Sequence, residues 1–182
     1  FPGVQPWLFS SDETYDLEAQ EVDLAIWYGD GEWPGVSAVK LFHDYLTPMY
    51  CPQSFPDQAS LESIEQLANF DLIHDERPED WLAWYNSVGH DREDCISGSV
   101  FSDPGMLMEA AAGGQGVGLI SLLLSTELVK KGNLVRPFEA SIKTQQAYYL
   151  VYGDEEPMRP SVKKAKQWLL QEVKLFIAEL GI

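Results

Sequence analysis

Short apolar runs alternate along the chain with segments whose apolar residues recur every three or four positions. The runs at residues 22–28, 72–74 and 117–124 have the length and composition of buried strands. Between residues 160 and 181 the apolar positions follow helical spacing from a proline to a glycine, which predicts a long amphipathic helix. This alternation from end to end predicts an α/β fold.

The first third of the chain is expected to consist mainly of strands. Residues 4–9 have a strand-like pattern ahead of Ser10-Ser11-Asp12, whose short oxygen-bearing side chains are typical of a helix start. Residues 22–28 are mostly apolar and end in a glycine-rich turn, which predicts a central parallel strand. Residues 39–50 are expected to be extended, and residues 61–68 to form a half-buried helix.

Two helices in the middle of the chain have well-marked ends. Pro78, followed by two acids, predicts a helix that buries Trp81 and Trp84 and ends at Gly89. The pair Asp103-Pro104 predicts the start of a second helix, directly after a short strand-like segment.

The charge balance excludes several classes of partner. The 182 residues hold 12 Lys and Arg against 29 Asp and Glu, a formal net charge of −17. Nucleic acids and anionic membranes bind through clustered basic residues, so we expect neither to contact this chain. Cys51 and Cys95 form no C-x-x-C pair, which favours reduced thiols and a cytoplasmic location over a disulfide framework, with a single disulfide left open.

The sequence lacks the familiar catalytic and cofactor motifs. Its glycine cluster at residues 114–118 follows a predicted helix and precedes a strand, the reverse of the order that dinucleotide binding requires. It has neither a phosphate-binding loop nor a nucleophile motif, and the polar run at residues 90–95 lacks metal-ligand spacing. We therefore expect no catalytic residues, no cofactor, no metal and no enzymatic activity.

Two polar segments lie where a predicted strand gives way to a helix, Ser10-Ser11-Asp12 and Phe101-Ser102-Asp103. Hydroxyls, carboxylates and free helix amides meet at such junctions and can bind a polar ligand. Helix capping is the alternative role for both segments.

His74 ends the predicted strand at residues 72–74. Ligands of parallel α/β sheets bind outside the carboxyl ends of strands, so His74 is a candidate ligand contact, with structural hydrogen bonding as the alternative. An enzyme that works through His74, Asp75 and Glu76 is a further alternative. Tyr28 belongs to an aromatic group that could stack on a small molecule or pack in the core.

Several segments together resemble the effector-binding domain of LysR-type bacterial transcription regulators, and the resemblance covers the full length of the chain. They are Val22-Asp23-Leu24-Ala25-Ile26, Tyr28-Gly29-Asp30-Gly31, Trp33-Pro34-Gly35, Leu72-Ile73-His74-Asp75-Glu76, Phe101-Ser102-Asp103, Gly114-Gln115-Gly116-Val117 and Leu134-Val135-Arg136-Pro137-Phe138. The first and fourth are similar to the subgroup that includes the glycine-cleavage activator.

The resemblance implies the two-lobed fold of type 2 periplasmic binding proteins, in which two crossing strands join the lobes and a small-molecule effector lies in the cleft between them. Lobe I would comprise residues 1–45 and 146–182, and lobe II residues 46–145. The effector would be a small molecule such as an amino acid or a small organic acid. Its site would be lined by Ser10, Ser11, Asp12, Tyr28, His74, Phe101, Ser102 and Asp103.

Family members carry a winged helix-turn-helix, and usually one more strand and helix, ahead of the point that corresponds to Phe1. The resemblance therefore implies that the full-length protein contacts promoter DNA through that part, that the effector site is incomplete in this chain, and that the full-length protein is a homodimer or homotetramer. Family members often have a basic residue where Trp27 stands, which argues against an anionic effector anchored there. A free solute-binding receptor of a transporter is the alternative function.

Overall fold

The computed structural model describes residues 3–11, 17, 21–54, 61–154 and 158–180. Strands and helices alternate through these residues, which confirms the predicted α/β class. The elements in chain order are β1 (Ala25–Gly29), β2 (Val36–Met49), β3 (Leu72–His74), α1 (Glu79–Ser87), β4 (Ser99–Val100), α2 (Pro104–Ala112), β5 (Val117–Ser121), α3 (Thr126–Lys130), β6 (Ile142–Gly153) and α4 (Pro160–Leu180). Short 3-10 helices lie at Pro52–Ser54, Ile64–Asn69 and Glu93–Ile96.

The chain divides into two compact units. Unit 1 comprises Phe1–His43 and Gln145–Ile182, and unit 2 comprises Asp44–Thr144. The unit boundaries fall within β2 and β6, so these two long strands carry the chain from one unit into the other.

Unit 1 contains three neighbouring strands in the order β1-β6-β2. Strand β1 pairs antiparallel with β6, with Ala25 opposite Val151 and Gly29 opposite Ala147. The prediction of a central parallel strand at residues 22–28 is therefore wrong. Strand β1 is an edge strand in the described part of the chain, and Ile26 and Tyr28 are exposed on one of its faces.

The segment at residues 4–9 was also expected to be a strand, and that prediction is wrong. These residues are irregular, and Trp7 and Leu8 are exposed. An apolar pattern of this length needs a partner strand before it can form a sheet. At the other end of unit 1, α4 spans the 21 residues predicted from its periodicity and buries Val162.

Unit 2 has a four-stranded sheet in the order β2-β5-β3-β4. Strand β5 is antiparallel to β2, with Ser121 opposite Leu46, and parallel to β3. Strand β4 is parallel to β3, with Val100 opposite His74. Three neighbouring strands, β5, β3 and β4, therefore point the same way, and their carboxyl ends meet at one edge of the sheet.

Both faces of the unit 2 sheet are covered, as is usual for parallel strands. On one face, Leu72 and Leu119 pack with the predicted aromatic face of α1, Trp81, Trp84 and Tyr85. On the other face, a second cluster joins β3 and β5 to α2; it consists of Met49, Ile73, Leu107, Ala110, Ala111, Ile120 and Leu134. Successive strand residues thus point to opposite faces.

The helix boundaries follow the sequence signals, with one exception. Gly89 takes a positive φ of 76° just after α1, in agreement with the predicted helix end. Residues 64–69 form a 3-10 helix where a longer α-helix was expected. None of the described helices combines the length and the apolar character that crossing a membrane would require.

Candidate functional site

Several polar side chains lie at the carboxyl-end edge of the unit 2 sheet. Strands β3, β4 and β5 end at His74, Val100 and Ser121, and each is followed by a turn. Ligands of parallel α/β sheets bind at this edge, because helix starts and loop side chains surround it. The candidate site therefore comprises the residues at these strand ends.

His74 lies at the end of β3 and is only 1% exposed. Its Nε2 atom is 3.0 Å from Ser97 O. A carbonyl oxygen only accepts, so Nε2 carries a proton and donates; in the tautomer with this proton alone, Nδ1 is an acceptor. Among the described residues, Nδ1 of His74 is the buried side-chain nitrogen or oxygen that has no hydrogen-bond partner.

A small pocket of about 180 Å³, measured with the solvent at its mouth, adjoins this ring. It is lined by Leu46, His74, Asp75, Arg77, Asp80, Trp81 and Leu119. The Arg77 guanidinium donates from Nε and Nη2 to the two carboxylate oxygens of Asp80, at 3.2 and 3.3 Å. The polar lining residues therefore come from the end of β3 and the segment after it, and the apolar ones, Leu46, Trp81 and Leu119, belong to the core of unit 2.

Asp75 directly follows His74 and also lines the pocket. Its Oδ1 accepts a hydrogen bond from the backbone N–H of Arg77 at 2.8 Å. Partial burial raises the pKa of the Asp75 carboxyl, although the hydrogen bond from Arg77 opposes that rise. A carboxylate held away from water in this way interacts more strongly with a cation than an exposed one does.

The start of α2 lies beside the end of β3, because the Phe101 N–H donates to His74 O at 2.8 Å. Asp103 is the N-cap residue, and its Oδ1 accepts from the Met106 N–H at 2.8 Å. Oδ1 of Asp103 is thus occupied by a hydrogen bond within its own helix. Ser102 is exposed directly before the cap, so its hydroxyl is better placed than Asp103 to contact a ligand.

The first turn of α2 offers fewer free amides than the sequence suggests. Pro104 has no N–H, and the amides of Met106 and Leu107 donate to the side chain and the carbonyl of Asp103. Gly105 is the first-turn residue whose amide these bonds leave free. A ligand group at this helix start would therefore meet the Ser102 hydroxyl and one amide.

Sequence reasoning missed a buried polar pair at the end of β5. The Ser121 hydroxyl donates to Asp44 Oδ1 at 2.8 Å, and the Tyr45 N–H donates to the same oxygen at 2.8 Å. Burial raises the pKa of the Asp44 carboxyl, and both hydrogen bonds oppose the rise. The available signal was a polar residue inside each of two apolar runs, at residues 41–50 and 117–124.

The remaining predicted site residues belong to unit 1. Ser10 and Ser11 are exposed in an irregular segment, so the strand-to-helix junction expected there lacks its strand. Asp12 lies outside the described residues. Tyr28 is 42% exposed on β1, and its ring lies 4.9 Å from that of Tyr148, centroid to centroid.

Metal binding finds no support in the described part of the chain, where no group of three or more His, Cys, Asp or Glu side chains could hold an ion. The two cysteines are both buried, and neither forms a disulfide.

The chain matches the family model described as the LysR substrate binding domain over residues 1–174. It is 32% identical over 170 residues to the glycine cleavage system transcriptional activator of Escherichia coli K12, which covers 93% of this chain and 56% of that protein. It is 27% identical over 175 residues to the HTH-type transcriptional activator AmpR of Enterobacter cloacae, covering 96% of this chain and 59% of that protein. The chain thus spans less than two thirds of the length of these relatives.

Solved structures of effector domains of transcriptional regulators are also similar to this chain. The effector domain of the transcriptional regulator AmpR of Pseudomonas aeruginosa superposes with a TM-score of 0.76 at 26% identity, covering 89% of this chain and 77% of that domain. The AmpR effector-binding domain of Citrobacter freundii has a TM-score of 0.75 at 23% identity, covering 88% of this chain and 79% of that domain. The named relatives are regulators, so they lend no support to the alternatives of a transporter receptor or an enzyme.

Proposed function

The chain belongs to the LysR substrate binding domain family, and we propose that it is the ligand-sensing domain of a transcription regulator. In this proposal a small polar molecule binds at the carboxyl-end edge of the unit 2 sheet. The observation that carries it is the match to the LysR substrate binding domain over residues 1–174, and the polar residues at the edge where ligands of such sheets bind give the candidate position.

The contacts proposed for the effector in unit 2 come from two strand ends, those of β3 and β4. Ser102 supplies an exposed hydroxyl before α2, and His74 supplies an acceptor beside the pocket. Asp103 is proposed to position the start of α2 through its capping hydrogen bond. Phe101 is proposed to hold this helix start beside β3 through its hydrogen bond to His74 O. Ser10, Ser11, Asp12 and Tyr28 are proposed contacts from unit 1, on the strength of the family resemblance.

The mechanism proposed is a shift in population between arrangements of the domain. A ligand can favour one arrangement only by the difference between its affinities for the two, commonly about 1–3 kcal/mol. In the full-length protein, that difference would act on a DNA-binding helix-turn-helix outside this chain. We infer that the full-length protein is cytoplasmic and forms a homodimer or homotetramer on promoter DNA.

Isothermal titration calorimetry of the 182-residue chain tests the sensing role. The probes are the proteinogenic amino acids and a set of small aromatic and aliphatic carboxylic acids. Ser102→Ala and Ser11→Ala should each weaken the binding of the best probe, whereas Ser87→Ala should not. Ser87 is the matched control because it is the last residue of α1, where its hydroxyl donates to Trp84 O.

If the affinity for the best probe is unchanged in both Ser102→Ala and Ser11→Ala, the proposed effector contacts are wrong. For the regulator role, the full-length protein should shift its own promoter fragment in a gel, and light scattering should give the mass of a dimer or tetramer. A full-length protein that binds no DNA would contradict the regulator proposal while leaving ligand binding in place.

A further inference from the structure

We propose that helix α4 of unit 1 is a self-association surface, on which α4 of a second copy of this chain packs in the antiparallel direction. The surface, named the outer face of α4, consists of Lys164, Trp168, Gln171, Leu175 and Glu179. None of the proposed effector contacts lies on α4, so this contact is separate from the sensing role. It has three supports: exposed apolar side chains, an order of charges that a second helix complements, and a spacing that is symmetric about the middle of the face.

The first support is the exposure of the outer face. Apolar residues on the opposite side of α4 recur at helical spacing and are buried or half-buried; they are Val162, Ala165, Leu169, Val173 and Ile177. The residues of the outer face are all exposed and follow one another at intervals of four, three, four and four positions. Two of them are large and apolar, Trp168 at 48% exposure and Leu175 at 58%. Apolar side chains with a polar rim are typical of protein contact sites.

The second support is the order of charges along α4, which opposes the helix dipole. The first turn has no acidic residue and the last turn has no basic residue. Lys164 lies near the amino end, where the dipole is positive, and Glu179 lies near the carboxyl end, where it is negative. Within the described part of the chain, neither side chain forms an ion pair. A second, antiparallel α4 sets its acidic end beside the basic end of the first, so an order that is unfavourable in one helix is complementary in two.

The third support is the spacing of the outer face, whose midpoint falls between residues 171 and 172. Trp168 and Leu175 lie equally far from this midpoint on either side, and so do Lys164 and Glu179. In an antiparallel pair centred there, Trp168 of one copy is level with Leu175 of the other, and Lys164 of one copy is level with Glu179 of the other. The pair has twofold symmetry, so every contact occurs twice in the dimer.

The expected dimer is a weak one. A single pair of helices with two large apolar side chains in each copy lies below the roughly 1,200 Å² at which stable interfaces begin. We therefore expect the dimer to exchange with the monomer and to form at high protein concentration. Added salt should weaken it further, because the charged residues of the outer face are exposed.

Sedimentation velocity of the 182-residue chain tests the pairing at protein concentrations from about 10 μM to about 1 mM. The wild type should change from monomer to dimer over this range. Lys164→Glu and Glu179→Lys should each weaken dimerisation about tenfold or more, because each sets like charges opposite each other at two places in the dimer. Both substitutions agree with the dipole of α4, so a loss of dimer cannot come from unfolding of the helix.

Lys163→Glu is the matched control for Lys164→Glu. It changes the net charge by the same amount, but Lys163 lies off the outer face, about a quarter of a turn from Lys164. Dimerisation of this variant should match that of the wild type. Leu175→Gln tests the apolar part of the face and should weaken dimerisation about tenfold or more, whereas Val129→Gln, which replaces an exposed apolar residue of α3, should leave it unchanged.

A mixture of the two charge variants distinguishes a direct contact from an effect on stability. Equal amounts of the Lys164→Glu and Glu179→Lys chains should dimerise when mixed, although each variant alone stays largely monomeric. In the mixed dimer the two substituted positions face each other with opposite charges, and so do the two unsubstituted positions.

A chain that stays monomeric over the whole concentration range would overturn the inference and would leave the outer face to another segment of the full-length protein or to a different partner. So would a dimer that Lys164→Glu leaves unchanged, or a mixture of variants that fails to recover. The calorimetry of effector binding is a separate result. A chain that dimerises but binds no probe keeps the pairing and loses the sensing role, and a chain that binds a probe as a monomer does the opposite.

Discussion

Gly98 lets the chain pass close to β3 on its way into β4, and replacing it should damage both the sheet and the site. Its φ is +155°, and a Cβ atom at this position would lie 2.0 Å from Leu72 O. Ordinary contacts begin at 3.4 Å. Leu72 O is a backbone atom in the middle of the unit 2 sheet, so the overlap cannot be relieved by turning a side chain. His74, the second neighbour, is fully buried and cannot move aside easily either.

The expected cost of Gly98→Ala is the sum of two effects. A residue other than glycine at this φ costs about 1–3 kcal/mol, and the forced displacement of packed atoms costs about 1–3 kcal/mol more. Gly132→Ala isolates the first effect, because Gly132 has φ +74° but nothing within 4 Å of the added methyl group. That variant should lose about 1 kcal/mol. Gly153→Ala, with open space around the added atom, should be close to neutral.

Urea unfolding, followed by far-UV circular dichroism, measures all three variants. A domain of ordinary stability holds about 5–15 kcal/mol, so Gly98→Ala should shift the midpoint strongly or leave the chain partly unfolded without denaturant. The order of loss should be Gly98→Ala, then Gly132→Ala, then Gly153→Ala. A Gly98→Ala chain as stable as Gly132→Ala would refute the argument from the close approach to β3.

Three further substitutions test the core, the helix start and the buried acid. Trp84→Phe should lower the free energy of unfolding by about 1–3 kcal/mol, since it shortens a fully buried ring and removes the Nε1 hydrogen bond to Ala140 O at 3.1 Å. A loss below about 0.5 kcal/mol in urea titration would contradict this. Asp103→Ala should cost about 1 kcal/mol in thermal unfolding and Asp103→Asn much less, because an amide oxygen can still accept from Met106; equal losses would exclude a capping role. Burial raises the pKa of Asp44 above its ordinary value of 3.8, so this carboxyl adds stability below 3.8 and the contribution is lost as pH rises through the raised pKa. The free energy of unfolding of the wild type relative to Asp44→Asn should therefore fall as the pH rises above 3.8, and a constant difference would count against the assignment.

Elements whose formation depends on local chemistry could be predicted from the sequence. The helix α1 begins after Pro78 and buries Trp81 and Trp84 as its spacing indicates. The helix α2 begins after Asp103, which caps it as expected. In both cases the signal and the structure it produces lie within a few residues of each other, so no tertiary information is needed.

Partner choice in the sheet could not be predicted in the same way. The run at residues 22–28 shows that a strand is favoured, but the identity and direction of its neighbour depend on β6, more than a hundred residues away. An apolar run also does not reveal whether both faces are covered, and the exposed side chains of Ile26 and Tyr28 show that they are not in the described residues. Residues 4–9 fail for a related reason, since an apolar segment without a strand beside it stays irregular.

The candidate site shows the same division. His74 and Ser102 could be found because His74 ends a predicted strand and Ser102 lies just after another, and the sheet rule places such residues at one edge. Asp44 and Ser121 were missed because their contact joins residues 77 positions apart, and neither has a local signature of ligand binding. A polar residue within an apolar run is the signal to examine in related chains.

The stability costs of unit 2 are concentrated at the edge where a ligand is proposed to bind. His74 leaves a buried acceptor unsatisfied, and Asp44 holds a carboxyl group away from water. At the opposite end of the same strands, Asp71 is exposed, while Leu72 and Val117 are buried apolar residues that carry no such cost. A donor that reaches His74 Nδ1 would recover about 1–3 kcal/mol, which corresponds to about 5–150-fold in affinity. A site that is left incomplete in the free protein can therefore supply the affinity difference that a regulatory domain needs, provided that only one arrangement of the domain presents His74 to the ligand.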